Sequence, residues 1–126
     1  MATARYAAQV EEHFERPHNA GRFKPDPDVI QVDAGRVAQG AVFHLSARVG
    51  RGGVEAARFE AYGCPHCIAA ASWLTDRLPG MTADDLDRWS WREAAQALEV
   101  PAEKHGRLLL LEDGVRRLAE VLRARG

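Results

Sequence analysis

Apolar side chains near the start of the chain recur at a helical spacing. Tyr6, Val10 and Phe14 stand four residues apart, and glutamates fill several of the positions on the other side. Side chains four residues apart share one face of an α-helix, so the pattern predicts an amphipathic helix over residues 3–16. Pro17 ends this helix because proline lacks the N–H that the next turn would need. The turn-rich stretch after it predicts a long loop.

The middle of the chain changes to the alternating pattern of β-strands. Apolar and polar residues alternate over residues 41–49 and 54–62, and a glycine-rich turn at residues 50–53 joins the two runs. Two such runs across a short turn predict a β-hairpin, and the apolar run 29–32 extends it to three strands. The apolar members of the hairpin are Phe43, Leu45, Ala47, Val49, Ala57, Phe59 and Ala61.

The chain after Gly63 is predicted to be helical. Pro65 suits the first turn of a helix that runs to a stop at Gly80. Thr82 with Asp85 and Ser90 with Glu93 have the spacing of helix N-caps, the second pair matching the capping box S-x-x-E. The first long helix of this part is expected to run through Ile68, Ala71, Leu74 and Leu78.

A last helix is predicted to begin at Pro101. Leu109 and Leu110 lie beside its apolar stripe, which predicts a helix buried on more than one side. The order of helix, three strands and several helices predicts an α+β fold: a three-stranded antiparallel sheet covered by helices, with a helix-rich C-terminal half. The stripe itself consists of Leu108, Leu111, Val115, Leu118 and Leu122.

Composition narrows the class of protein. The length of 126 residues predicts a single domain over residues 1–126. The 17 basic and 18 acidic residues nearly cancel, which argues against nucleic-acid binding because phosphate contacts require a basic excess. We see no pattern of a secretory signal or a membrane span, and two cysteines are too few for a disulfide framework. We therefore expect a cytoplasmic protein.

The most informative segment is Cys64-Pro65-His66-Cys67, which lies between the last predicted strand and the following helix. Unpaired backbone N–H groups and the helix dipole stabilise a thiolate at a helix N-terminus, so we expect a lowered pKa at Cys64. Cys67 lies one turn later, near enough to share a metal ion with Cys64 or to form a disulfide with it, and His66 is a neighbouring candidate ligand. A pair of ordinary buried thiols is the alternative.

Three separated stretches carry further motifs. They are HFERPHNAG from His13, EAARFEAYGC ending at Cys64 with IAAAS after it, and LEVPAEK followed by EDG near the C-terminus. Together they resemble the NifU/IscU-type iron–sulfur cluster assembly scaffolds over most of the chain. The resemblance implies a three-stranded antiparallel sheet covered by helices, in agreement with the periodicity. It also implies a scaffold rather than an enzyme, which carries a [2Fe–2S] cluster or, in its absence, a metal ion such as iron or zinc.

Two of the family's three cysteine ligands are replaced in this sequence. The resemblance implies Cys64 as the retained ligand, and it places Gln39 and Arg107 at the positions of the other two cysteines. His105 comes one residue before the family's histidine position. On a helix it therefore points about 100° away from the expected ligand direction. Arg107 brings a positive charge to a ligand position, where it can instead stabilise a thiolate at Cys64.

The sequence nevertheless offers replacements for the lost ligands. Cys64 and Cys67 supply two thiolates for iron, zinc or a cluster, because soft anionic sulfur suits these metals. His66 and His105 are the candidate nitrogen ligands of this predicted site, and His44 is a further one. For His44 and His105 an ordinary surface or half-buried histidine is the favoured interpretation.

Three functions follow from these observations. The first is a divergent scaffold that binds a cluster or a single metal ion through Cys64 and Cys67. The second is a family member without a cluster that regulates or binds other proteins of the family. The third is a thiol–disulfide protein, because Cys64-Pro65-His66-Cys67 resembles the active-site tetrapeptide of DsbA-type oxidoreductases, although the thioredoxin-like βαβ pattern is absent from the sequence. None is an enzyme that turns over a small substrate.

The resemblance also implies partners. The family receives sulfur from a cysteine desulfurase and works with other iron–sulfur assembly proteins, but the usual persulfide-accepting cysteines are those replaced here. The family presents a short segment to an ATP-driven chaperone, and the matching positions here read VPAEK, with Glu103 in place of a valine. Chaperone docking is therefore doubtful.

Overall fold

The fold is known from a computed structural model that describes residues 6–125. Its centre is an antiparallel sheet of three strands in the order β1-β2-β3, comprising β1 (Val29–Arg36), β2 (Ala41–Gly50) and β3 (Gly53–Tyr62). The α-helices of the described part are α1 (Ala8–Glu15), α2 (Pro65–Thr75), α3 (Ala83–Arg88), α4 (Trp91–Ala97) and α5 (His105–Ala124). The predicted α+β fold is confirmed.

One face of the sheet forms the core. The strand register places Val32 opposite Leu45 and Leu45 opposite Phe59, and all three side chains are buried. Helix α5 packs across β1 and β2, α2 packs beside β3, and α1 lies on α2. The approach of α5 is close at Gly114, where an added Cβ would stand 3.2 Å from Leu45 Cδ1. The hydrophobic core therefore lies between this face of the sheet and helices α2 and α5.

The opposite face of the sheet is polar. His44 lies on this face, with Nδ1 2.8 Å from an oxygen of Asp33 and Nε2 3.1 Å from the amide oxygen of Gln31. The backbone N–H of Phe23 donates to Ser46 Oγ on the same strand, and the Phe23 ring lies under two arginines. The loop after α1 thus covers part of a face that would otherwise meet water.

The first helix is shorter and turned differently from the prediction. It spans Ala8–Glu15, and residues 3–5 of the predicted range lie outside the described residues. Val10 is fully buried, but Phe14 is 41% exposed and His13 is buried in its place. The expected stripe was wrong at Phe14 because steps of four residues drift around a helix with 3.6 residues per turn. Within α1, Val10 and His13 stand three residues apart and share the buried face, whereas Phe14 is turned further toward water.

Two other boundaries differ from the prediction. Helix α2 ends at Thr75 instead of continuing to Gly80, although Leu78 is buried in the turn that follows. Pro79 accounts for this because a proline disfavours helical backbone at the residue before it. Strand β1 continues past the predicted residue 32 to Arg36, since Ala34 extends the buried alternation.

The last helix also begins later than predicted. Pro101 precedes a single 3₁₀ turn at Ala102–Lys104, and α5 starts at His105. Burial on more than one side was wrong for Leu109, which is 44% exposed, whereas Leu110 is half-buried. The charged residues of the helix keep that side in water.

The predicted N-caps of the two short helices are confirmed. Thr82 and Asp85 form a reciprocal capping box at α3, and Ser90 and Glu93 form one at α4. Each box satisfies backbone N–H groups that the first turn of a helix leaves free. Within the described residues, no helix is both long and apolar enough to cross a membrane.

The packing of α5 generates a stability prediction. Leu111→Ala should lower the free energy of unfolding by about 2–5 kcal/mol, because the side chain is fully buried and its loss leaves a cavity. The matched control Leu109→Ala should change it by about 0.5 kcal/mol or less, since that side chain is largely in water. Urea unfolding followed by circular dichroism measures both. Equal losses would contradict the orientation of α5.

Candidate functional site

The two cysteines lie where β3 turns into α2. Cys64 is the N-cap residue of the helix, with extended backbone, and its carbonyl accepts hydrogen bonds from the N–H groups of Cys67 and Ile68. Gly63 precedes it at φ +152°, and an added Cβ there would stand 2.9 Å from Cys67 Sγ and 3.1 Å from the carbonyl oxygen of Gly40. A side chain at position 63 would therefore occupy space that the sulfur of Cys67 needs.

The sulfur atoms of Cys64 and Cys67 are 3.7 Å apart. Both thiols are free, with Cys64 half-buried and Cys67 buried. Two thiolates bound to one tetrahedral metal ion at about 2.3 Å would stand about 3.8 Å apart. The observed pair thus has the separation of two ligands of one metal ion. A disulfide would require the sulfurs to approach to about 2.05 Å.

The two thiols differ sharply in acidity. A hydrogen bond from Cys67 lowers the pKa of Cys64 well below that of a free thiol, with help from backbone N–H groups and Arg107 and against the opposing effect of burial. The same hydrogen bond, together with burial, raises the pKa of Cys67. One proton therefore stays on Cys67 and is donated to a thiolate on Cys64. The prediction of a lowered pKa at Cys64 agrees with this geometry.

Arg107 occupies the space beside these sulfurs. Its guanidinium lies against Gly40, where an added Cβ would stand 2.8 Å from Arg107 Nε, and Gly40 itself has φ +88°. The positive charge of Arg107 also stabilises the thiolate of Cys64. Gln39, at the other replaced ligand position, is exposed in the turn between β1 and β2.

The structure does not gather the predicted histidine ligands around the sulfurs. The buried His66 ring packs edge-on against Tyr6, with centroids 4.9 Å apart. His105 Nε2 donates to the carbonyl of Val100 at 2.9 Å, and its ring lies 4.8 Å from that of Trp91. His44 is engaged on the polar face of the sheet, as described above. Of the four predicted metal ligands, the structure brings together Cys64 and Cys67.

A different group of ligand atoms escaped the sequence analysis. Among residues 6–125, the one set of three metal-binding side chains that converge is His13, His18 and Asp76, with ligand atoms within 4.8 Å of one another. Both histidines lie in the segment HFERPHNAG, so their closeness in the sequence was a signal for a shared metal site. The carboxylate comes from the far end of α2, and only the tertiary fold brings it to them.

Comparison with known proteins gives consistent results. The profile of the NifU-like N terminal domain matches residues 5–120. "Iron sulfur cluster assembly protein 1" of Encephalitozoon cuniculi is 35% identical over 116 residues, covering 90% of this chain and 83% of that protein. "Iron-sulfur cluster assembly scaffold protein IscU" of Azotobacter vinelandii is 33% identical over 113 residues, covering 88% of each.

Solved structures resemble the fold as well. The N-terminal part of a NifU-like protein from Brucella abortus superimposes with a TM-score of 0.72 at 16% identity, covering 95% of each chain. A scaffold protein described as putative for the SUF system, from Fervidobacterium islandicum, superimposes with a TM-score of 0.67 at 11% identity, covering 90% of this chain and 96% of that one. At such identities the likeness establishes the fold.

The acidity of Cys64 generates a second prediction. Cys67→Ala should raise the pKa of Cys64 most, because it removes the strongest hydrogen bond to the thiolate, and Arg107→Met should raise it by less. The pH dependence of the alkylation rate by iodoacetamide reports this pKa, since Cys67 is buried and reacts slowly. Arg123→Met, on the same helix but paired with Asp84, is the control. An ordinary thiol pKa in the wild-type chain would contradict the arrangement.

Proposed function

The chain belongs to the family of NifU-like N-terminal domains, and from that premise we propose that it is an iron–sulfur cluster assembly scaffold with a rebuilt cargo site. Cys64 and Cys67 hold the cargo, which is a [2Fe–2S] cluster or a single ion of iron or zinc. The observation that carries the proposal is the separation of 3.7 Å between the two sulfurs, one of them stabilised as a thiolate. The relatives named as scaffolds support the same function.

The chemistry of the pair suits this cargo. Thiolate sulfur is the preferred ligand of iron in clusters and a common ligand of zinc. Cys64 offers its thiolate directly, whereas Cys67 must lose the proton that it shares with Cys64. Binding of the cargo should therefore release about one proton from the pair, as is general for thiol ligands. Two protein ligands leave the remaining coordination positions to inorganic sulfide or to water.

Arg107 sets the charge of the rebuilt site. A cysteine at this position would add a third negative ligand, whereas Arg107 adds a positive charge beside Cys64. The guanidinium fills the space over Gly40, so the cargo must lie on the side of the sulfurs that Arg107 leaves open. The site is thus suited to cargo held by two sulfurs, with the charge of the thiolates partly neutralised.

Partners follow from the same proposal. A cysteine desulfurase is the proposed source of sulfur, and Cys64 is the proposed acceptor because it is the more acidic and more exposed of the two thiols. Chaperone docking stays doubtful, because Glu103 places a negative charge in the segment that would dock. A location in the cytoplasm stays a prediction from the low cysteine content.

Two other functions fit particular observations. The acidic Cys64 beside a protonated Cys67 stabilises the reduced pair, which favours a Cys64–Cys67 disulfide that oxidises two thiols of a partner. In this exchange the Cys64–Cys67 bond breaks, its two sulfurs are reduced and take up the protons of the partner's thiols, and a disulfide forms between the partner's two sulfurs. The guanidinium of Arg107 at a former ligand position favours a member that holds no cluster and acts by binding other proteins.

The test is the metal and acid-labile sulfide content of protein purified without oxygen, in a chain carrying His18→Gln so that the converging group of His13, His18 and Asp76 does not contribute metal. We expect iron with sulfide, or a single bound metal ion, and its loss in both Cys64→Ser and Cys67→Ser, because each removes one of the two sulfur ligands. His105→Gln is the control and should keep the cargo, since its ring bonds to the carbonyl of Val100.

The outcomes separate the three functions. Iron and sulfide that depend on both cysteines support the cluster scaffold, and a metal ion without sulfide supports a single-ion site. Equal metal content in the cysteine variants and the parent chain with His18→Gln alone would contradict the proposed ligands. Metal-free protein that forms a reversible Cys64–Cys67 disulfide would favour the dithiol function, and metal-free protein that forms none would favour the protein-binding function.

A further inference from the structure

The C-terminal end of α2 carries the converging group of His13, His18 and Asp76. His13 lies on α1, His18 lies in the loop after it, and Asp76 is the C-cap residue of α2. Their ligand atoms lie within 4.8 Å of one another. We propose that these three side chains bind a divalent first-row cation, Zn²⁺ or Fe²⁺, at a site separate from the two cysteines. The proposal does not depend on the function of the cysteine pair.

The donor set has the chemistry that such ions select. Two imidazoles and one carboxylate form catalytic zinc sites and the facial triads of non-haem Fe²⁺ proteins. Three ligands at about 2.0–2.2 Å from a tetrahedral ion would stand about 3.4 Å apart. The side chains of His18 and Asp76 are exposed by 42% and 36%. Small rotations at the surface can therefore open their 2.6 Å contact and close the wider separations, which reach at most 4.8 Å.

Neighbouring polar groups already hold the three ligands in place. His13 Nδ1 is 2.7 Å from Ser72 Oγ, a hydrogen bond that orients the imidazole. Ser72 Oγ also accepts the backbone N–H of His18 at 2.7 Å, and Asn19 Nδ2 donates to Asp76 Oδ1 at 3.0 Å. The other carboxylate oxygen, Asp76 Oδ2, faces His18 Nδ1 at 2.6 Å. Hydrogen bonds of this kind orient the ligands of known metal sites.

The electrostatic surroundings favour a cation at this place. The carbonyl groups at the C-terminal end of α2 carry partial negative charge, and the helix dipole adds to it. Asp76 supplies a full negative charge there. Burial lowers the pKa of His13, and the nearby His18 lowers it further. The positive charge of Arg77 also lowers the pKa of His13. The guanidinium of Arg77 itself is held on Trp73, where it stacks on the ring and donates a hydrogen bond to the backbone carbonyl.

The exposure of the three ligands defines how an ion would enter. His13 is 7% exposed and forms the floor of the site, whereas His18 and Asp76 border solvent. An ion entering from that side keeps water as its remaining ligand. It would join α1, the following loop and α2, so its binding should also stabilise the folded protein by mass action.

The test is titration with Zn²⁺ in the full chain carrying Cys64→Ser and Cys67→Ser, which removes both sulfur ligands. We expect one Zn²⁺ per chain by isothermal titration calorimetry. Adding His18→Gln or Asp76→Asn should weaken the affinity at least about tenfold, because each removes a ligand. Both positions are at the surface, so these variants should fold. Cobalt(II) should give ligand-field absorption without a sulfur charge-transfer band.

Asp33→Asn is the matched control. Asp33 contacts His44 as Asp76 contacts His18, but among residues 6–125 no third histidine, cysteine or carboxylate converges on that pair. The affinity for Zn²⁺ should therefore be unchanged. Should the double cysteine variant fail to fold, the same comparison is made in the wild-type chain with alkylated thiols. Absence of Zn²⁺ binding, or an affinity that neither His18→Gln nor Asp76→Asn changes, would overturn the proposal.

Discussion

The chemistry of this protein depends on a close approach of backbone and side chains at the start of α2. Gly63 and Gly40 carry no Cβ, and only that leaves room for the sulfur of Cys67 on one side and the guanidinium of Arg107 on the other. The sheet fixes both glycines, since each lies at the end of a strand in the same hairpin. The two sulfurs are held 3.7 Å apart as a result, before any ligand binds.

Helix α2 connects two chemically opposite sites. Its N-terminal end stabilises the thiolate of Cys64, and its C-terminal end carries Asp76 beside His13 and His18. The helix dipole favours negative charge at the first end and positive charge at the second. The 11 residues of the helix span about 16 Å, so the two sites do not share ligands. One buried helix thereby accounts for a soft sulfur site and a harder site of nitrogen and oxygen.

Local patterns predicted most of the fold, and the failures have physical causes. Alternation identified the hairpin, and the capping pairs identified α3 and α4, because these signals act over a few residues. Phe14 was misplaced by counting steps of four, and α2 was extended past the effect of Pro79. In the site, the sequence identified the cysteine pair but could not show that the His105 ring bonds to a carbonyl. Asp76 joins histidines that lie 58 and 63 residues earlier in the chain, which no local pattern encodes.

We propose that the two sulfurs of Cys64 and Cys67 bind the same metal ion. X-ray absorption at the zinc edge counts these sulfurs on reduced protein that carries His18→Gln and is loaded with one equivalent of Zn²⁺. We expect two sulfur scatterers at about 2.3 Å, with oxygen or nitrogen atoms as the other ligands of the zinc ion. One sulfur, or none, would contradict it.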